Sequence, residues 1–374
     1  MTDAPIFVVG AMGSGTTVLR LMLDSHENIA IAQETGIARL LLANRFIPFW
    51  RWGGEWYGRL GIDDAGLDEH LRRFYGGLFA DFAARRGASR WGDKTPFHVW
   101  HMEMLGRIWP DAVFVGISRH PGAVASSVNN RFHYGWDGSV KHWVRSNFQM
   151  IVAGAALGER FVLCRYETLI TDPEPSMRDM LDWLGEPWSD GILTYQKVQA
   201  ERGVSSVVEG RTRVSDPLDI SRISKWVNDI TPEGRRELRR QAAGLAAYLG
   251  YDVEDPVALD ALPAGTGRAI LPDGVVLGDR RTRFADVVDW ERRPTPTMEN
   301  KPMKPAALKS LKRAAREERQ PAPTKASTNG SADASIRQRS VALARDVAKH
   351  AIHRLPPGAE KRARALVARA RSGR

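Results

Sequence analysis

The chain has 374 residues, 43% of them hydrophobic, enough for one large α/β domain or for such a domain with appendages. Its single cysteine, Cys164, excludes an intramolecular disulfide framework and any multi-cysteine metal site; the ordinary role of such a residue is a small buried apolar side chain. The net charge of +10 is concentrated in residues 301–374, which hold 19 Lys and Arg against 5 Asp and Glu, so residues 1–300 are slightly acidic and make no general polyanion-binding surface.

Pro5-Ile-Phe-Val-Val9 has the pattern of a buried strand. Gly10-Ala-Met-Gly-Ser-Gly-Thr-Thr17 is a glycine-rich loop, and Val18 to Leu23 continues at helical spacing. Helical spacing recurs over Leu67–Ala84, Val99–Ile108, Ser139–Leu157 and Glu233–Leu249. Apolar strands at Ala112–Ile117 and Phe161–Cys164 are each followed by a helix with proline in its first turn, Pro121–Asn130 and Pro175–Leu184. This alternation predicts an α/β fold, a central parallel sheet with helices on both faces that opens on a P-loop-like strand, loop and helix.

Residues 256–300 change to short alternating stretches, with Asp273-Gly274 as a hairpin turn, and read as a small add-on. Residues 301–334 are rich in Pro, Lys, Ala, Ser and Gly and read as a linker. In residues 335–374, Ile336, Val341, Leu343, Val347, Ile352 and Leu355 recur among basic residues, predicting a basic amphipathic tail that Pro356-Pro-Gly358 interrupts. No run reaches the ~18 apolar residues of a membrane span, and Ile6 to Val9 is too short for a signal peptide, so a cytoplasmic location is expected.

Gly10 and Gly15 match the outer frame of a P-loop, in which backbone N–H groups and a helix N-terminus hold phosphate. A nucleoside-triphosphate loop continues with Lys and then Ser or Thr, for the phosphates and magnesium; here Thr16 and Thr17 follow, which argues against that chemistry. A glycine-rich turn alone can be purely structural. The strand before it and the helix after it favour anion binding.

Ser14-Gly15-Thr16-Thr17 resembles the 5′-phosphosulfate loop of the sulfotransferases, and the run from Ser14 to Thr35 resembles their protein-tyrosine branch and its bacterial relatives. The resemblance covers about residues 4–255. It implies a sulfotransferase domain over 1–255, with 3′-phosphoadenosine 5′-phosphosulfate as co-substrate and no metal. One departure is Gly13, where the family has Arg or Lys, so another residue must supply that cation.

The donor's 3′-phosphate calls for a second anion site with arginine and hydroxyl donors. In the family a strand ends in Arg and a Ser follows eight residues later; the matching residues are Arg119 and Ser127, with Arg131 one helical turn on. Each alone reads as an ordinary surface residue, and the spacing favours binding. Arg90-Trp-Gly-Asp-Lys-Thr-Pro-Phe-His98 resembles the Asp-Lys-x-Pro segment, which implies Lys94 beside the bridging oxygen of the leaving phosphate.

Glu34 takes the place of the catalytic glutamate, against the plainer reading of a polar strand-edge residue. His98 and His120 are rival bases, although His98, after a proline at a helix start, reads as a surface residue. The resemblance further implies Tyr166 near the donor's adenosine, Lys225 toward the 3′-phosphate and a lid around Arg211-Thr-Arg213.

The expected acceptor is a hydroxyl on a carbohydrate, lipid, natural product or peptide tyrosine. Trp50, Trp52, Trp56 and Tyr57 are either a stacking surface for it or core. The basic tail is expected on an anionic membrane surface at the inner face; nucleic acid is not expected, because the tail lacks interleaved aromatics. Two rival functions stand beside the enzyme: a P-loop kinase-like enzyme, opposed by the missing Lys and Ser/Thr pair, and a non-catalytic nucleotide-binding scaffold acting through its tail.

Overall fold

A computed structural model describes residues 4–47, 50–203 and 217–255, and the strand backbones 274–277 and 280–283. The Arg211–Arg213 lid, the linker and the basic tail with its membrane docking lie outside the described residues.

The chain runs β1 (Ile6–Gly10), α1 (Thr16–Leu23), β2 (Ile29–Gln33), α2 (Ile37–Ala43), α3 (Asp64–Arg85), β3 (Arg90–Lys94), α4 (Met102–Ile108), β4 (Val113–Ser118) and α5 (Pro121–Phe132). It continues with α6 (Gly135–Leu157), β5 (Phe161–Arg165), α7 (Tyr166–Thr171), α8 (Pro173–Leu184), α9 (Tyr195–Glu201), α10 (Trp226–Asp229), α11 (Pro232–Glu237) and α12 (Ala243–Tyr248). A separate antiparallel pair, β6 (Gly274–Leu277) and β7 (Arg280–Arg283), lies in the add-on.

The first five strands form one parallel sheet in the order β2-β3-β1-β4-β5. β1 is buried along its whole length because helices cover both faces, which is why it reads as an unbroken apolar run. Its period-two alternation divides the core. Ile6 and Val8 pack with Leu19, Met22 and Leu23 of α1 and with Met177 and Leu181 of α8. Phe7 and Val9 pack with Leu67 and Leu71 of α3, Leu105 of α4 and Met150 of α6. Each such side chain contributes about 1.5–3 kcal/mol when fully buried. A third cluster joins Val124 and Val128 of α5 to Trp143, Trp226, Leu238 and Leu245.

Three local expectations are corrected. The helix predicted over 233–249 is α11, a π-helical turn at Leu238–Ala242 and α12. The helix predicted over 99–108 begins as a 3-10 turn, Pro96–Trp100, before α4. Gly274 is no turn residue: it pairs with Arg283 inside the β6–β7 ladder, so the connection lies between Leu277 and Arg280. Among the described residues, no helix is long and apolar enough to cross a membrane.

In an open parallel sheet, ligands gather beyond the strands' carboxyl ends where the strand order reverses. β1, flanked by β3 and β4, marks that place. The glycine loop follows β1, Glu34 follows β2, Lys94 ends β3, Arg119 follows β4 and Tyr166 follows β5.

Candidate functional site

The glycine loop turns the chain from β1 into α1 using left-handed backbone at Gly13 (φ +87) and Gly15 (φ +100). Space matters as much as angle. A Cβ on Gly15 would lie 2.3 Å from the Tyr166 ring, and one on Gly13 would lie 3.1 Å from Ser127 Oγ. Ser14 is fully buried, and its hydroxyl donates to Ala11 O at 2.7 Å. What the loop presents is therefore the first N–H groups of α1, which have no intrahelical acceptors.

Thr16 is buried and Thr17 half-buried. The Met12 N–H donates to His142 Nε2 on α6 at 3.1 Å, and burial pushes that imidazole's pKa down, favouring the neutral form that can accept. We expect Gly13→Ala to weaken anion binding measured by calorimetry, because an L side chain at this φ is strained and crowds Ser127. Tighter binding in the variant would show that the loop tolerates a side chain here.

On the β4 side, Arg119 lies 4.2 Å above the Tyr166 ring and donates to Gly13 O (3.1 Å) and Arg222 O (2.6 Å). Its buried Nε has no partner among the described residues. Ser127 of α5 reaches the loop at Gly13, and Arg131, one turn on, is exposed. Tyr166 is buried between Gly15 and Arg119. Lys225 is exposed beside Trp226, whose ring stacks on His120 at 4.5 Å.

His120 is a structural residue. Its Nδ1 caps α5 by accepting from Gly122 N (3.0 Å), its Nε2 donates to Asp252 O (2.7 Å), and burial lowers its pKa to about 4. Both nitrogens of this rival base are committed.

At the β2 and β3 ends, Lys94 is fully buried and its ammonium meets Glu34 Oε1 at 2.6 Å and Thr17 Oγ1 at 3.4 Å. The Glu34 side chain is 53% exposed, so one face of the pair opens to solvent. Glu34 itself has left-handed backbone (φ +42), which costs a non-glycine residue about 1–2 kcal/mol. Bonds to β3 and the residues just after it offset that strain at about 1 kcal/mol each: Glu34 N to Lys94 O (2.7 Å), the Thr35 hydroxyl to Asp93 (2.6 Å) and Gly36 N to Thr95 Oγ1 (3.3 Å).

The expectation of a surface His98 is corrected: the ring is 1% exposed, and its Nε2 lies 2.5 Å from Asp93 Oδ1. Proline after β3 starts a tight 3-10 turn that folds His98 back under the strand end.

The aromatic segment divides between its two readings. Trp56 and Tyr57 pack against the core, and Trp56 Nε1 donates to Asn44 O at 2.9 Å. Trp50 is 61% exposed, and Trp52 has Arg51 and Arg59 over its ring at 4.5 and 4.3 Å.

The model of a sulfotransferase family matches residues 5–190, from the first strand through the glycine loop, the Lys94 segment and the Arg119 segment. The chain belongs to the sulfotransferase family. Protein-tyrosine sulfotransferase 1 of Danio rerio is 29% identical over 293 residues, spanning 75% of this chain and 79% of that protein. Its Homo sapiens counterpart is 28% identical over 265 residues, spanning 67% and 70%. Among solved structures, the sulfotransferase domain from the curacin biosynthetic pathway aligns with 67% of this chain and 98% of its own length, at 18% identity and a TM-score of 0.46.

Several groups that shape this sulfotransferase's site have no place in the sequence pattern. Glu167 is fully buried, accepts from His120 N (2.8 Å) and Tyr251 OH (3.1 Å), and so fixes the backbone beside Arg119; burial raises its pKa. Asp24, at the end of α1, accepts from Arg20, Arg86, Gln199 and Ile31 N. The role of Asp24 has no local signal, because Arg86 and Gln199 lie 62 and 175 positions away in sequence.

Proposed function

We propose that this enzyme transfers a sulfonate group from 3′-phosphoadenosine 5′-phosphosulfate to a hydroxyl-bearing acceptor, with Glu34 as general base and Lys94 at the leaving phosphate. The observation that carries the reading is the meeting of Glu34, Lys94 and Thr17 at the glycine loop. A carboxylate able to take a proton stands there beside a buried ammonium able to meet a phosphate.

The acceptor oxygen forms the new bond to sulfur while the bond from sulfur to the 5′-phosphate oxygen breaks. The acceptor's proton passes to Glu34, and the electron pair leaves with the nucleotide beside the Lys94 ammonium. Charge spreads in such a loose transition state, so fixed cations and N–H groups aimed at the leaving oxygen carry much of the rate. The residues present suit a doubly phosphorylated nucleotide. The glycines let Tyr166 and Ser127 close on the loop, and Arg119, which bonds to Gly13 O and lies over the Tyr166 ring, keeps a buried Nε unpartnered among the described residues for the second phosphate. The relatives named protein-tyrosine sulfotransferases favour a polypeptide tyrosine over a carbohydrate, lipid or natural-product hydroxyl.

Calorimetry with the spent nucleotide, 3′,5′-adenosine bisphosphate, tests the donor site. Binding is expected with a metal chelator present, and ATP should bind much more weakly. Equal affinity for ATP, or strict magnesium dependence, would rule the donor out. Sulfonate transfer to a tyrosine peptide and to sugar hydroxyls in parallel decides the acceptor.

A further inference from the structure

Asp93 lies behind the Glu34 and Lys94 pair. Neighbours on β3, Lys94 and Asp93 point to opposite faces of the sheet. The register pairs Asp93 with Phe7, whose ring meets that of His98 edge-on at 5.8 Å. The Asp93 carboxylate is fully buried and surrounded by donors. Its Oδ1 accepts from the Thr95 hydroxyl (2.8 Å) and His98 Nε2 (2.5 Å); its Oδ2 accepts from the Thr35 hydroxyl (2.6 Å) and, at greater length, the Thr35 amide (3.4 Å).

Burying a carboxylate is costly unless its bonds do something an apolar side chain cannot. Among the described residues, the side-chain bonds of Asp93 outside β3 and the turn after it go to Thr35 alone. Thr35 follows Glu34 directly, and its hydroxyl also accepts from Ile37 N at the start of α2 (3.2 Å). The carboxylate thus grips the one turn whose backbone is left-handed at a non-glycine residue in β2–α2.

We propose that Asp93 is a positioning residue: through Thr35 it holds the strained turn that aims the Glu34 carboxylate at the reacting hydroxyl. This rests on the reading of Glu34 as the general base. The histidine is part of the same device, because its ring fixes the oxygen of Asp93 that Thr35 does not use.

Thr35→Val keeps the side-chain shape and deletes the hydroxyl. It should lower kcat by ~10-fold or more, since small misplacements of a catalytic group are costly, while the donor KM stays within about twofold. Thr35→Ser should restore most of the rate. In a Glu34→Gln background, Thr35→Val should cost nothing further, because the group it aims is gone. A purely structural role would keep its full cost there and would lower the unfolding midpoint.

A slow Glu34→Gln beside a Thr35→Val enzyme of wild-type rate overturns the positioning role and leaves the base in place. Losses that multiply in full in the double variant overturn it too. A wild-type rate in Glu34→Gln overturns the base and the positioning role together. Asp93→Asn is the harsher variant; if it fails to fold, the Thr35 series decides.

Discussion

Glu34→Gln is expected to lower turnover by ~10²-fold or more while leaving the affinity for 3′,5′-adenosine bisphosphate almost unchanged. Glutamine keeps the size of the side chain and can still bond to Lys94, so the loop and β3 keep their arrangement. What is lost is the ability to take the acceptor's proton. Arg119→Ala should behave oppositely, weakening the nucleotide, because that guanidinium holds Gly13 O and carries a free donor at its buried Nε among the described residues. Single-turnover rates and calorimetry on the two variants separate the roles. An active Glu34→Gln would show that Glu34 is not the base.

The largest effect on stability is expected from Asp24→Ala. Asp24 is fully buried, and its carboxylate meets Arg20 (3.3 Å), Arg86 (2.8 Å) and Gln199 (3.1 Å) as well as the Ile31 amide (2.8 Å). Its backbone carbonyl also accepts from Arg202. Truncation would remove the carboxylate that these donors share, among them Arg20, which is only 2% exposed. Breaking one partner of a buried pair costs about 3–5 kcal/mol. For a domain of this size that corresponds to a fall in Tm of roughly 10 °C. Arg86→Ala should cost much less, since that side chain is 25% exposed. Scanning calorimetry on both reads the difference, and a shift of only about a degree for Asp24→Ala would show that water replaces the carboxylate.

Most of the sheet was legible because β1, β4 and β5 are apolar runs in a sheet covered by helices, even though β5 lies at its edge. β3 was not legible as a strand, since Arg90-Trp-Gly-Asp-Lys94 carries three charged residues. All three are buried there because partners from elsewhere satisfy them. Arg90, for example, donates to Ala4 O at 2.7 Å and Leu184 O at 2.8 Å. Tertiary context overrides strand propensity in such a case.

The glycine loop and the spacing from Arg119 to Ser127 are local, so a linear reading finds them. The pairing of Glu34 with Lys94 joins residues from two strands, and resemblance alone put them in one site. Nothing local announces His142, which meets the loop from 130 positions away. His98 was misplaced to the surface because a proline-led turn says where a segment starts but not which way it folds. The π-helical turn in the last helix has no signature in helical spacing.

The sheet order has a consequence for how this enzyme's specificity can change. β2 is an outermost strand, paired on one side only, whereas the glycine loop, Lys94 and Arg119 belong to the inner strands. Glu34, the proposed base, therefore sits at the margin of the sheet, and the chain that leaves it, α2 and the aromatic stretch after it, is a single uninterrupted stretch of sequence. The groups proposed to hold the nucleotide are distributed over separate segments, most of which cross the middle of the fold. Selection can rewrite the marginal stretch as one cassette for a new acceptor, while the central groups, each locked to the others, have little freedom to drift.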